Sequence, residues 1–228
     1  MKEVRNIHTG HRQRMKRRFL EYGLENFDDV NVLELLLFFA KPQGDTNPLA
    51  HALLDRFGSL NAVLEAGPEE LMKVDGIKEN AATLLRLIPA ISRRYLIGKT
   101  PQGEPMDTVA AVGRYLLPYF AYEKDEVVYT LLLDARRRLI SCQEVGRGVV
   151  NAAEIRARQL VSLVLEKNAS YVILAHNHLS GVLVPSREDD LTTRQLRSAL
   201  NLVGVELSDH LIICGSEYVS MRECGMIR

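Results

Sequence analysis

The order of apolar and polar positions divides the chain into two stretches of different texture. Through roughly the first hundred residues, apolar positions recur at helical spacing, interrupted by Gly, Pro and capping residues. Arg12–Tyr22 mixes basic and apolar residues and stops at Gly23. Asp28 or Asp29 then caps a helix over Val32–Phe39, whose run VLELLLFFA is apolar on most sides and calls for burial. After a turn segment carrying Pro42, Gly44 and Pro48, the pattern predicts helices over Leu49–Phe57, closed by Gly58, and Leu60–Glu65, closed by Gly67. Pro68 stands where a proline suits a helix start, at the head of GPEELMKV. Val74-Asp75-Gly76-Ile77 reads as a tight turn before a long helix over Glu79–Tyr95.

Beyond GKTPQGEPMD, residues 98–107, the pattern becomes α/β. A helix over Thr108–Phe120 precedes a β-branched and apolar strand over Glu126–Leu133, a basic turn at Arg136–Arg138, and a returning strand over Leu139–Glu144. Asn151 is placed to cap a helix over Ala152–Lys167, with Glu154 at the capping-box position. Tyr171–Ala175 (YVILA) is wholly apolar, as expected of a strand covered on both faces. A helix over Ser186–Val203 ends at Gly204, and strands over Val205–Cys214 and Glu217–Met221 follow. The expected organisation is a helical domain over 1–97, a linker over 98–107 and an α/β domain over 108–228.

Composition narrows the function classes without choosing one. With 228 residues, 46% of them hydrophobic and 25% charged, the chain is long enough for two ordinary globular cores. Lys plus Arg equals Asp plus Glu at 29 each, so the whole molecule has no net pull toward nucleic acid. The stretch from Met1 to Arg18 differs, with Lys2, Arg5, Arg12, Arg14, Lys16, Arg17 and Arg18 against the single acid Glu3. Such a run either contacts phosphate or forms the solvated face of a first helix. No stretch approaches the ~18–20 apolar residues of a membrane span, and the basic N-terminus has no apolar core of a secretory signal behind it. Cys142, Cys214 and Cys224 are odd in number and read as core thiols of a reducing compartment, so a cytoplasmic protein is expected.

The candidate chemistry lies in AHNHLSGVLVPSREDD, residues 175–190. His176 and His178 stand at i and i+2, so in extended chain their side chains share a face about 6–7 Å apart at Cα. Two imidazoles so placed can converge on one ion, and Asp189 arrives on the first turn of the next helix as a third, carboxylate ligand. Three protein ligands leave a tetrahedral position open, where zinc lowers the pKa of a water toward ~7. That is the pattern of a catalytic zinc, one per chain. A structural zinc usually has four closed ligands with cysteines, and no CxxC pair exists here. Ser186-x-x-Asp189 is also a sound N-terminal capping pair in its own right. His8, His11 and His51 have no partner spacing.

His176, His178, Ser186 and Asp189 match the signature of the JAB/MPN (JAMM) zinc metalloproteases, which this chain resembles. The resemblance implies a cytidine-deaminase-like mixed sheet flanked by helices. It also implies a glutamate at the start of a core strand, a place that Glu126 in DEVVYTLLL fits. Glu126 would take a proton from the attacking water and pass it to the leaving amine, while Ser186 would donate a hydrogen bond to the developing oxyanion. Glu144 is the runner-up for the base, with Glu123 and Glu188 behind it. Within that family, residues 176–225 are most similar to the C-terminal domain of RadC proteins. GHRQRMKRRFLEYG and LLDRFGSLNAVLEAGPEEL resemble their helical domain. Leu179 departs from the proline usual after the second histidine. His210, in SDHLIIC, belongs to an Asp-His pair that recurs in the family; it is expected to be a hydrogen-bonded core histidine away from the ligand cluster.

LMKVDGIKENAATLL resembles a helix-hairpin-helix unit, in which a glycine-bearing turn offers backbone N–H groups to a phosphate. Gly76 and Lys78 are the candidate nucleic-acid contacts; Lys78 stands where the usual unit has a second glycine, and plain helix packing is the competing reading. The leading expectation is therefore a zinc-dependent hydrolase of a peptide or protein-conjugate (isopeptide) bond. The alternative is a DNA-binding repair-associated protein or metal-dependent nuclease whose helical domain contacts DNA. An inactive scaffold is disfavoured by the intact ligand set, and a zinc deaminase by the lack of H-x-E and P-C-x-x-C. Substrate and oligomeric state are not written in the sequence.

Overall fold

Capping residues and glycines set most helices of the N-terminal unit. They are α1 (His11–Tyr22), α2 (Asp29–Ala40), α3 (Asn47–Phe57), α4 (Leu60–Glu65), α5 (Pro68–Leu71) and α6 (Glu79–Gly98). The computed structural model describes residues 10–99, 105–148 and 157–227. Asp28 caps α2 by accepting the Asn31 N–H, and Ser59 caps α4 by accepting that of Ala62. Gly58 closes α3 in the left-handed region, at φ 86°. Two expected boundaries differ. α4 is capped at its C-terminus by Ala66, and Gly67 instead occupies the N-cap position of α5. α5 is a single turn, because the chain leaves it through turns that bring Val74 and Ile77 into the core.

That core gathers Leu33 and Leu37 of α2, Ala50 and Leu53 of α3, and Leu71, Val74, Ile77, Ala82 and Leu85. The apolar run of α2 also buries Glu34, whose carboxylate is satisfied by His11 Nε2 at 2.9 Å and Asn47 Nδ2 at 3.2 Å. His11, without a partner in the sequence pattern, has this one in three dimensions. Part of the basic strip is spent locally: Arg12 donates to the carbonyls of Lys41, Pro42 and Gly44, and Arg18 to that of Asn26. Lys2, Arg5 and His8 lie outside the described residues.

The chain divides into compact units at Ser92/Arg93, inside α6 and upstream of 98–107. The second unit carries α7 (Val109–Phe120), β1 (Val127–Leu133), β2 (Leu139–Arg147), α8 (Ala157–Glu166), β3 (Tyr171–Asn177), α9 (Arg187–Asn201), β4 (Glu206–Cys214) and β5 (Glu217–Ser220). Asn151 and Glu154 fall outside the described residues. The strands form one mixed sheet in the order β2-β1-β3-β4-β5, with only β3 and β4 parallel. β1 and β3 are interior strands buried on both faces, which explains their near-continuous apolar sequences.

Side chains sort by parity onto the two faces. Val127, Tyr129, Leu131 and Leu133 of β1, with Ile173 and Ala175 of β3, meet Val112, Leu116 and Phe120 of α7. Val128, Leu132, Val172 and Leu174 meet Leu160 and Val164 of α8 and Leu196 and Leu200 of α9. His176 pairs with Val128 in the ladder and therefore points to the α9 face.

Among the cysteines, which are all free, Cys142 and Cys214 are half-buried and burial pushes the Cys142 thiol up to about 12. Cys224 is exposed, against the expectation of three core thiols, because it follows the last strand in a surface turn. No described helix is long and apolar enough to cross a membrane.

Gly113 sits where α7 passes under β5. A Cβ there would lie 2.3 Å from two ring carbons of Tyr218. Gly113→Ala is therefore expected to destabilise the unit by about 1–3 kcal/mol, read as a lower urea midpoint with an unchanged slope.

Candidate metal centre

The site is built where β3 ends and α9 begins. The β3–β4 pairing holds His176 opposite Ile212 and continues one residue past β3, with the His178 N–H donating to the Ile213 carbonyl at 2.8 Å. Both histidines thus keep strand geometry, and their side chains emerge on the same face. The chain then turns through Gly181, at φ 81°, and returns to α9. There Ser186 and Asp189 form a reciprocal capping box: Ser186 Oγ accepts the Asp189 N–H at 3.1 Å, and the Ser186 N–H donates to Asp189 Oδ2 at 2.7 Å.

The capping box fixes the carboxylate over the histidines. Asp189 Oδ1 lies 3.1 Å from His176 Nε2, Asp189 Oδ2 lies 3.4 Å from His178 Nε2, and the two Nε2 atoms are 3.0 Å apart. His176 and Asp189 are buried. Burial alone would push the Asp189 carboxyl up, and the hydrogen bond from the Ser186 N–H acts against it, favouring the carboxylate.

These donors fit a tetrahedral metal ion. Two ligand atoms each about 2.05 Å from a tetrahedral ion lie about 3.3 Å from one another, and the three separations fall around that value. The rear of His178 supports the same conclusion. Its Nδ1 lies 2.8 Å from the Val182 carbonyl, which can only accept, so Nδ1 carries a proton and the neutral form of the ring presents Nε2 to the cluster as a lone pair. Among the described residues, His176, His178 and Asp189 form the one group of this kind whose donor atoms all lie within 4.8 Å of each other.

Glu126 immediately precedes β1 and is half-buried. Alternation from Val128, which pairs with His176, puts Glu126 on the histidine face of the sheet. It is held there by a residue that sequence reasoning passed over. Asn177, between the two histidines, reaches across to the β1 backbone: its Oδ1 accepts the Val127 N–H at 2.7 Å and its Nδ2 donates to the Asp125 carbonyl at 3.0 Å. The amide thereby clamps both neighbours of Glu126. The other glutamates are engaged elsewhere. Glu144 accepts from Arg147 and from the Tyr129 hydroxyl, Glu123 pairs with Arg93 and Arg147, and Glu188 is exposed.

His210 requires a correction. It is fully buried and hydrogen-bonded, as expected, but it is not remote: its Nε2 lies 2.8 Å from His176 Nδ1. A one-residue irregularity in β4 brings it there. Val172 pairs with Leu207 and Ile173 with Asp209, which leaves Ser208 as an extra residue and reverses the parity of the strand beyond it. A strict alternation from Leu207 would turn His210 toward α7.

Residues 106–226 match the family described as a RadC-like JAB domain. The chain belongs to the RadC family. UPF0758 proteins of Idiomarina loihiensis and Ruegeria pomeroyi are similar to it along nearly their whole lengths. The first is 34% identical over 94% of this chain and 96% of its own. The second is 36% identical over 95% and 97%. A UPF0758 protein of Rhodobacter capsulatus is 36% identical over 93% of this chain and all of its own. The helical region therefore belongs with the α/β region in these RadC-family relatives.

Within the RadC-family chain, Ser186 has a structural duty whatever else it does. Ser186→Ala should cost about 1 kcal/mol of stability and Ser186→Gly only a few tenths, measured by urea denaturation of metal-free protein. No loss in Ser186→Ala would show that the cap contributes nothing.

Proposed function

We propose that this RadC-family protein is a zinc-dependent hydrolase of a peptide or isopeptide bond, with His176, His178 and Asp189 holding the metal. The observation that carries the reading is the convergence of two Nε2 atoms and a carboxylate at separations suited to one tetrahedral ion. When bound, zinc would supply Lewis-acid polarisation of the scissile carbonyl and lower the pKa of an attacking water.

The chain's own groups then divide the remaining tasks. Glu126 accepts the proton of the attacking water and returns it to the leaving amine, which its place on the histidine face of the sheet favours. Ser186 donates its hydroxyl proton to the oxygen that becomes negative. The capping bond leaves that proton free to do so, because Oγ serves there as an acceptor. The loop from Leu179 to Ser186 has no basic residue, and Leu179, Val182 and Val184 are exposed in it. An apolar margin suits a peptide better than a phosphate backbone.

Zinc analysis paired with a peptide-library digest tests this reading. About one zinc per chain is expected, lost in His178→Ala, with cleavage falling ~10²–10⁴-fold in Glu126→Gln while zinc is retained. Wild-type protein that takes up no zinc at micromolar concentration, or a Glu126→Gln variant that cleaves normally, would overturn it.

DNA contact through the turn before α6 is the second reading. Gly76 holds φ 83° there, and Lys78 is exposed at the foot of α6. Packing also accounts for this glycine, since a Cβ would lie 2.8 Å from Leu49 Cδ2. If the turn binds DNA, Lys78→Glu will weaken a salt-dependent affinity; binding absent even at low salt would remove the reading.

A further inference from the structure

Behind His176, donor counting gives a chain of hydrogen bonds a direction. The Thr193 hydroxyl lies 2.5 Å from the Asp189 carbonyl oxygen and 2.7 Å from His210 Nδ1. A carbonyl oxygen can only accept, so the single hydroxyl proton goes to Asp189. Met221 Sδ, at 3.7 Å, is a weaker competitor for the same proton. The hydroxyl oxygen must then accept from His210, whose Nδ1 carries a hydrogen.

His210 is fully buried, and its two ring nitrogens are taken by Thr193 and His176, neither of them a carboxylate, so a cation there would lack a counter-ion and the ring is neutral. The adjacent Asp209 carboxylate is taken up by the Ser220 hydroxyl and the N–H groups of His210 and Arg222. With Nδ1 protonated and the ring neutral, His210 Nε2 presents a lone pair. His176 Nδ1, 2.8 Å away, must donate to it. His176 Nε2 is left bare and faces Asp189 and His178.

We propose that Thr193 and His210 are positioning residues that fix the lone pair of His176 on Nε2, aimed at the metal position. The proposal rests on the metal-centre reading and adds two residues to it. The relay is also closed. Thr193 stands one turn after Asp189 on α9 and bonds its carbonyl, so the orientation of one ligand is tied to the backbone of another. Outer hydrogen bonds of this kind set the tautomer and ring orientation of a ligand histidine.

Two measurements on the full chain test it. Ring ¹⁵N shifts of metal-free wild type, at about pH 8.5 where ordinary imidazoles are neutral, should show His176 protonated at Nδ1 and bare at Nε2. Zinc affinity, from competition with a chromophoric chelator, should fall about 10- to 100-fold in Thr193→Val and stay within a few-fold of wild type in Thr193→Ser. A proton on His176 Nε2 in wild type, or unchanged affinity in Thr193→Val, overturns the proposal. The first readout needs no variant, so a Thr193→Val that fails to fold leaves the question decidable. Wild type that binds no zinc defeats the metal reading by itself, while the nitrogen shifts still decide the relay.

Discussion

Two imidazole Nε2 atoms lie 3.0 Å apart, a separation at which facing lone pairs would repel unless a proton or a metal ion lay between them. The Val182 carbonyl accepts from His178 Nδ1 behind one ring, and His210 stands in the corresponding place behind His176. A third electron-rich group, the buried Asp189 carboxylate, closes the same space. Gathering three such groups away from water is unfavourable unless a proton or a metal ion is shared among them. The structure around them is best understood as what keeps them from splaying. β3 is paired on both sides, and the capping box fixes Asp189 from within its own helix turn.

Register carries most of this precision. The antiparallel β1–β3 ladder pairs Val128 with His176 and so puts Glu126 on the histidine face, and Asn177 clamps the backbone on either side of that glutamate. The extra residue at Ser208 reverses the parity of β4, so that His210 faces His176. Shifting either pairing by one residue would send a site residue to the opposite face while leaving the strands and their apolar content intact. The fold could survive such a slip in composition; the site could not.

This explains what was legible in the sequence. The helices with an Asp cap or a terminal glycine, α2 and α3 among them, follow from local chemistry and stand close to where the pattern sets them. The apolar runs of β1 and β3 announce buried strands for the same reason. His176, His178 and Asp189 were readable because their spacing is local: one strand pitch, one loop, one helix turn. His210 and Thr193 were not, since their relation to His176 passes through a β-bulge and the packing of α9 on the sheet. Asn177 had a weaker signal, a buried amide between two candidate ligands, but its partners lie fifty residues away along the chain. The exposed Cys224 escaped because a thiol beside an apolar strand reads as core until the turn is placed.

Ser186 shows why capping and function need not compete as explanations. A serine that caps a helix accepts an N–H through its oxygen and keeps its own proton to give away. An aspartate three residues later can return the favour to the cap and still present its carboxylate outward. The first turn of α9 can therefore satisfy its own orphan N–H groups and carry a ligand with the same two side chains. Evidence for the cap is no evidence against the ligand. The capping box supplies the rigidity that a carboxylate ligand otherwise has to obtain from further hydrogen bonds.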